Sequence, residues 1–262
     1  MEVPEKHHDL DDALESQPYS SISTTTLPNG LRVEYALHGN DGAPEKVVLI
    51  MGLAGEKEVW TAFIATFFRQ KDALTRFQIL TFDNRGVGGT GAPSGRYKTS
   101  EMAQDTLMLL DHLGWTKVHL AGVSMGGMIS QEIAFVAPER VQSLALIVTS
   151  PGFLEGPWPS WVQITGYLKT LSNFLATTLH ERTMNMLDVL YPPDYMEDSE
   201  VSSALYKIHF ERLKLSRTRR NGLMGQYGAV LTHRMDTERQ RFQFSLWVEG
   251  KIVYSLCPIR KP

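Results

Sequence analysis

The apolar residues of this chain alternate between two textures. "KVVLIMG" (46–52), "FQILTFD" (77–83), "KVHLAGV" (117–123) and "VQSLALIVTS" (141–150) are near-continuous apolar runs, the pattern of strands buried on both faces. Between them, apolar residues recur at helical spacing. Trp60, Phe63, Ile64 and Phe67 do so in "EVWTAFIATFFRQ", and Met102, Leu109, Leu110 and Leu113 in "SEMAQDTLMLLDHLG". Ser100 is placed to cap that second helix, with Glu101 in its first turn and Gly114 at its stop. A third helix, "MGGMISQEIAFVA", is ended by Pro138. Ahead of the first buried run, "ISTTTLPNGLRVEYALHG" predicts two strands around a Pro28-Asn29-Gly30 turn. Strand and helix in alternation predict an α/β fold, a mostly parallel sheet with helices on both faces.

After Pro151 the alternation stops. "WVQITGYLKTLSNFLATTL", "ERTMNMLDVLY" and "SALYKIHFERLKLSR" carry helical periodicity with no strand between them, which predicts an inserted helical lid. The division expected is an acidic, mobile arm at 1–21, an α/β core at 22–151, a lid at 152–235 and a tail at 236–262. The tail, "FQFSLWVEGKIVYSLCPIRKP" from Phe242, predicts a short hairpin with a basic, proline-broken end.

Composition narrows the function classes. Hydrophobic residues are 42% and charged residues 21%, the balance of a soluble globular chain. A net charge of −3 gives no general pull toward nucleic acid or anionic membrane, and the cluster Arg217, Arg219, Arg220 predicts only a solvated helix face. Cys257 is the single cysteine, so no internal disulfide or cysteine zinc site is expected, and His7 and His8 in the polar arm are not taken as a metal site. With no signal-like or membrane-length apolar run, the expectation is a cytoplasmic protein with a small-molecule partner and neither nucleic acid nor membrane.

Two glycine motifs compete for the chemistry. "GVGGTG" (86–91) fits G-x-G-x-x-G and follows a strand, yet Pro93 and Gly95 come next and no helix opens until about Ser100. No helix N-terminus is therefore available for a pyrophosphate, and the prediction is a tight loop held by Asp83 and Arg85, with no cofactor. "GVSMG" (122–126) is different, because it lies between a buried strand and a helix. There G-x-S-x-G forms a strained turn that lifts Ser124 above the sheet, and Gly122 and Gly126 leave room for the close packing it needs.

On these residues the chain resembles the α/β-hydrolase fold family, in its lid-bearing serine esterase or hydrolase form. The resemblance runs from about Leu31 to His233 and rests on "LIMGLAG", "FDNRGVGGTGAP" and "AGVSMGGMISQEIAFVAPERV". It implies Ser124 as nucleophile, with the backbone N–H groups of Leu53 and Met125 as oxyanion donors and no metal or cofactor. Met51 stands where many members carry histidine. Serine at this position, rather than aspartate, argues against epoxide hydrolase or dehalogenase chemistry. The implied substrate is a small ester-like molecule.

The family order continues with an acid and then a histidine, each after a further strand. "RFQFSLW" and "KIVYSL" are separated by only Val248, Glu249 and Gly250, too few for the crossover between adjacent parallel strands. No histidine follows His233. His180 and His209 fall in lid helices, His233 at the lid's end, and His112 and His119 upstream of the serine. All five are expected to pack rather than act as base, and Glu155 is an acid with nothing to orient. The last strands of the fold are therefore expected to be missing, with acid and base unassigned. A non-catalytic or small-molecule-binding protein is the alternative to a serine hydrolase.

Overall fold

A computed structural model describes residues 21–152, 165–166, 169, 172, 176–236, 238–239 and 253–256. The two polar strands β1 (Ser23–Thr26) and β2 (Arg32–Gly39) form the predicted hairpin, and Asn29 Oδ1 in its turn accepts from the Leu31 N–H at 3.1 Å. The apolar runs become β3 (Glu45–Ile50), β4 (Phe77–Phe82), β5 (Val118–Val123) and β6 (Val141–Ile147). Together with β7 (Val253–Leu256) they build one sheet in the order β1-β2-β4-β3-β5-β6-β7, antiparallel only at β1/β2 and β2/β4. Strands β3 and β4 are sealed on both faces, Leu49 and Ile79 closing the side opposite Val48, Ile50 and Leu80. Val48, Ile50, Leu80 and Leu120 expose at most 1% of their surface, and removing such a side chain from water contributes about 1.5–3 kcal/mol.

The helices between these strands are α1 (Thr61–Phe68), the short α2 (Ala73–Arg76), α3 (Thr99–His112) and α4 (Met125–Val136). Ile64 of α1 packs with Leu49, Trp60 and Ile79, while Met102, Leu109 and Leu110 of α3 join Ile129 and Ile133 of α4 in the larger core. The start of α3 departs from expectation: the helix begins at Thr99, not after a Ser100 cap. Glu101 supplies the cap instead, its carboxylate accepting the Lys98 N–H at 3.2 Å, because a glutamate three residues in reaches back to an otherwise unpaired donor.

The tail also departs from the predicted hairpin. Val253–Leu256 lies parallel to β6, with Leu144 opposite Val253 and Ile147 opposite Leu256, so part of "KIVYSL" serves as a sheet strand. "RFQFSLW" and Glu155 lie outside the described residues, as does most of "WVQITGYLKTLSNFLATTL".

The chain divides into two compact units. One comprises residues 1–17 and 158–216, the other 18–157 and 217–262. In the first, α5 (Leu179–Leu190), α6 (Pro193–Met196) and α7 (Ser199–Leu215) close around Leu187, Val201 and Leu205. The last helix, α8 (Arg220–Thr232), falls in the lid range expected from the sequence but packs within the sheet-bearing unit. Gly222 is the reason it can. A Cβ there would sit 1.9 Å from the carbonyl oxygen of Gly86, so only glycine lets this helix meet the 86–91 loop backbone to backbone.

Candidate active site

The turn from β5 into α4 is the sharpest feature of the sheet's C-terminal edge. Ser124 holds φ +52° and ψ −118°, a conformation that costs an L-residue about 1–3 kcal/mol unless its surroundings fix it. They do fix it. The Ser124 N–H donates to Ile147 O at 2.9 Å, and its carbonyl accepts from Gly127 N–H at 2.9 Å and the Thr149 hydroxyl at 2.7 Å. A Cβ on Gly126 would lie 2.0 Å from Ile50 O, and one on Gly122 would lie 2.3 Å from Gly126 O. Both flanking glycines are therefore required by close backbone approach. The serine itself is exposed, and α4 begins at the next residue, Met125, whose side chain is buried.

The loop after β3 passes directly beside it. A Cβ on Gly52 would fall 3.1 Å from Ser124 Cβ and 3.7 Å from its Oγ, so the Gly52 backbone lies against the serine and Leu53 follows in the same turn. That turn is held at both ends. Asn84 Nδ2 donates to Met51 O at 2.9 Å, and the Ala54 N–H donates to Gln226 Oε1 at 2.9 Å. Asn84 and Gln226 are buried and neither stands out in the sequence. Their roles depend on contacts across 33 and 172 positions, which no local pattern encodes.

The 86–91 loop is filled from within by carboxylates. Asp83 Oδ2 accepts the Gly89 N–H at 2.9 Å, and a Cβ on Gly88 or Gly89 would collide with Asp83 or Glu34 at 2.1 or 2.0 Å. A loop that already spends an N–H on aspartate and crowds two carboxylates is a poor cradle for phosphate. Arg85 points the other way and grips Asp105 of α3 through Nε and Nη2, at 2.6 and 2.7 Å. Beneath the loop, Lys57 is fully buried. Its ammonium donates to Glu34 and Glu58 at 2.7 Å each and to Asp83 at 3.1 Å, and Arg217 pairs with Glu34 from α8's side. Although burial opposes its charge, three carboxylates hold Lys57 protonated and raise its pKa. Burial pushes Asp83 up to about 6, outweighing the Lys57 charge and the Lys57 and Gly89 N–H groups, which pull it down.

Each of the six described histidines has a hydrogen-bond partner of its own. His38 shares a hydrogen bond with Thr81, His112 with Thr25, and His119 lies between Ser143 and Glu45. His180 meets the Tyr206 hydroxyl and His209 that of Tyr191, each at 2.9 Å and within the first unit. His233 is buried 2.8 Å from Thr99 Oγ1 and 3.6 Å from Glu132. Burial raises the Glu132 carboxyl, but His233, Arg239 and Thr99 outweigh it and leave the pKa lowered. Glu132 stands eight positions beyond Ser124 on α4, about 12 Å along the helix, so its cluster is remote from the serine. Ser124, Gly52 and Met125 thus converge, whereas His233, in the same unit, does not join them. Among the described residues no group of histidine, cysteine or carboxylate side chains is arranged to hold a metal ion.

A mostly parallel, helix-flanked sheet with a serine on a strained strand-to-helix turn defines the class of an α/β enzyme fold. The chain belongs to the α/β-hydrolase fold family, whose model matches residues 46–182, just over half of its length. It is 36% identical over 125 residues to "Putative carbamate hydrolase RutD" of Azorhizobium caulinodans, a match spanning 46% of this chain and 43% of that protein. Among solved structures it is similar to an enol-lactonase of Burkholderia xenovorans LB400. The TM-score is 0.62 at 22% identity, over 80% of this chain and 74% of the other. A second likeness is to a structure from a study of Nitrososphaera gargenis carboxylesterases, with TM-score 0.67 and 20% identity over 89% and 79%. The chain spans less than half the length of the curated relatives it matches. The α/β-hydrolase fold expected from the sequence is borne out, and among the described residues no helix is long and apolar enough to cross a membrane.

Proposed function

We propose that the chain is a serine hydrolase acting on small ester-like substrates through Ser124. The observation that carries the reading is the backbone of Ser124 itself, held at φ +52° between β5 and α4 with its side chain exposed. Strain at a solvent-facing serine with a polar backbone around it is stored where chemistry uses it. Ser124 Oγ bonds to the acyl carbon, and the carbonyl electron pair moves onto oxygen. The backbone N–H groups of Met125 and Leu53 receive the oxyanion. With no base assigned to it, the serine proton passes to water, which reaches the exposed side chain. The adduct then collapses, breaking the C–O bond and expelling the leaving group as an alkoxide or phenolate that solvent protonates. A second water hydrolyses the acyl-serine and returns the serine hydroxyl.

This route favours leaving groups that depart without a proton. Hydrolysis of p-nitrophenyl acetate is expected at a low rate, while unactivated alkyl esters turn over negligibly. Ser124→Ala reduces p-nitrophenyl acetate hydrolysis to background, and substitution of His180, His209 or His233 singly leaves it unchanged. Equal rates for the parent and Ser124→Ala would remove the serine from this role.

The commitment of all six described histidines favours a second reading, a small-molecule-binding protein without turnover. A ligand that raises the melting temperature while p-nitrophenyl acetate hydrolysis stays at background in the parent chain would select it.

A further inference from the structure

Helix α8 reaches the turn beside Ser124 with one fully buried side chain. Gln226 Oε1 accepts the Ala54 N–H at 2.9 Å, and Gln226 Nε2 donates to Arg85 O at 2.9 Å. Ala54 sits at φ +61°, a left-handed conformation that a residue with a Cβ keeps only under constraint. The turn's internal support is modest: Gly55 N–H bonds back to Gly52 O at 3.2 Å. The far end of Gln226 is anchored in turn. Arg85, whose carbonyl it bonds, is locked to Asp105 and Glu101 of α3, and α8 is fastened to the same loop. Asn221 Nδ2 donates to Ala92 O at 3.1 Å, the Tyr97 N–H donates to Gly225 O at 3.1 Å, and Gly222 abuts Gly86.

We propose that Gln226 is a positioning residue for the oxyanion turn, using its amide to fix Ala54 and thereby aim the adjoining Leu53 N–H at the adduct on Ser124. The proposal rests on the serine hydrolase reading above. Gln226 touches no substrate; it acts through the Leu53–Ala54 peptide. Its planar amide accepts on one side and donates on the other, so one side chain satisfies both backbone groups. Without it, the Ala54 N–H and the Arg85 C=O lose their fixed partner and the left-handed turn relaxes.

The test compares Gln226→Met, which keeps shape and burial but neither hydrogen bond, with Gln226→Glu, which keeps an oxygen for the Ala54 N–H. Steady-state hydrolysis of p-nitrophenyl acetate is measured in the full chain, with amide hydrogen exchange followed across residues 51–56. Removing an oxyanion donor outright costs about 10²–10³ in rate, so a misaimed donor is expected to lower kcat about 10-fold in Gln226→Met. KM stays within about twofold, because the ground-state ester makes less of this contact than the adduct does. Gln226→Glu recovers kcat to within about threefold, and the Ala54 amide is protected in the parent and in Gln226→Glu but not in Gln226→Met. An unchanged kcat in Gln226→Met, or a loss that Gln226→Glu fails to reverse, overturns the proposal. If the parent hydrolyses no faster than Ser124→Ala, the hydrolase reading falls by itself, and exchange then judges the clamp: loss of Ala54 protection in Gln226→Met supports it, and unchanged protection overturns it.

Discussion

At the scale of single residues, the account turns on strain that Ser124 stores and its neighbours oppose. Glycine relieves φ +52° while alanine keeps the strained backbone, so the usual order of the two is inverted here. Ser124→Gly is expected to be about 1 kcal/mol more stable than Ser124→Ala in urea unfolding, and a Ser124→Ala protein more stable than Ser124→Gly would contradict the strained elbow. Gly126→Ala brings a methyl to 2.0 Å from Ile50 O in a fully packed corner. It is expected to cost about 3 kcal/mol or more, seen as a fall in melting temperature and poor yield. Ser124 and both glycines were legible from sequence because G-x-S-x-G between a buried strand and a helix is a local pattern. Asn84, Gln226 and Lys57 were not legible. Each is defined by what it meets across the fold, and Lys57, in an otherwise ordinary polar stretch, gives no outward sign of its burial among three acids.

Among the elements, strands β3 to β6 and helices α1, α3 and α4 follow the apolar pattern to within a few residues. Burial on both faces forces continuous apolar runs, and one-sided packing forces helical spacing, so these periods survive in the sequence. The role of α8 was hidden for the same reason. Gly222 meets Gly86 backbone to backbone and Gly225 lies against the Tyr97 ring, and neither glycine carries an apolar signal. Helix α5 offers an independent check on how local devices set boundaries. The Thr178 hydroxyl accepts the Glu181 N–H at 3.1 Å while the Glu181 carboxylate accepts the Thr178 N–H at 3.1 Å, a reciprocal cap written in the sequence as T-L-H-E. Thr178→Ala is expected to destabilise this helix by about 1 kcal/mol, measured as faster amide exchange over 179–184 with β5 unaffected. Uniform exchange across both segments would place the two units in a single cooperative transition instead.

For the molecule as a whole, the half-buried His38 and the buried His209 shape the response to acid. Burial lowers the pKa of His38 to about 4, and burial with the nearby Arg212 charge lowers that of His209 to about 4, both from an ordinary 6.5. At these two sites the unfolded chain binds more protons than the folded one between pH 6.5 and 4. Asp83, raised to about 6, offsets one of them below pH 6, and stability still falls as pH falls through that window. Each histidine contributes a slope of at most about 1.4 kcal/mol per pH unit. His209→Gln is expected to flatten the decline in melting temperature between pH 6.5 and 4.5. An unchanged slope would mean that His209 is solvated or charged in the folded state.

The central claim is that Ser124 is an exposed nucleophile on a formed elbow, and covalent trapping tests it most directly. The full chain is incubated with a fluorophosphonate, its intact mass recorded over hours, and the modified peptide located by fragmentation. The account predicts slow, stoichiometric addition of one phosphonyl group, confined to Ser124 and absent from Ser124→Ala, because attack by Oγ with loss of fluoride needs the elbow but tolerates proton transfer to water. No adduct on a chain that melts cooperatively, or an adduct that persists in Ser124→Ala, would contradict it.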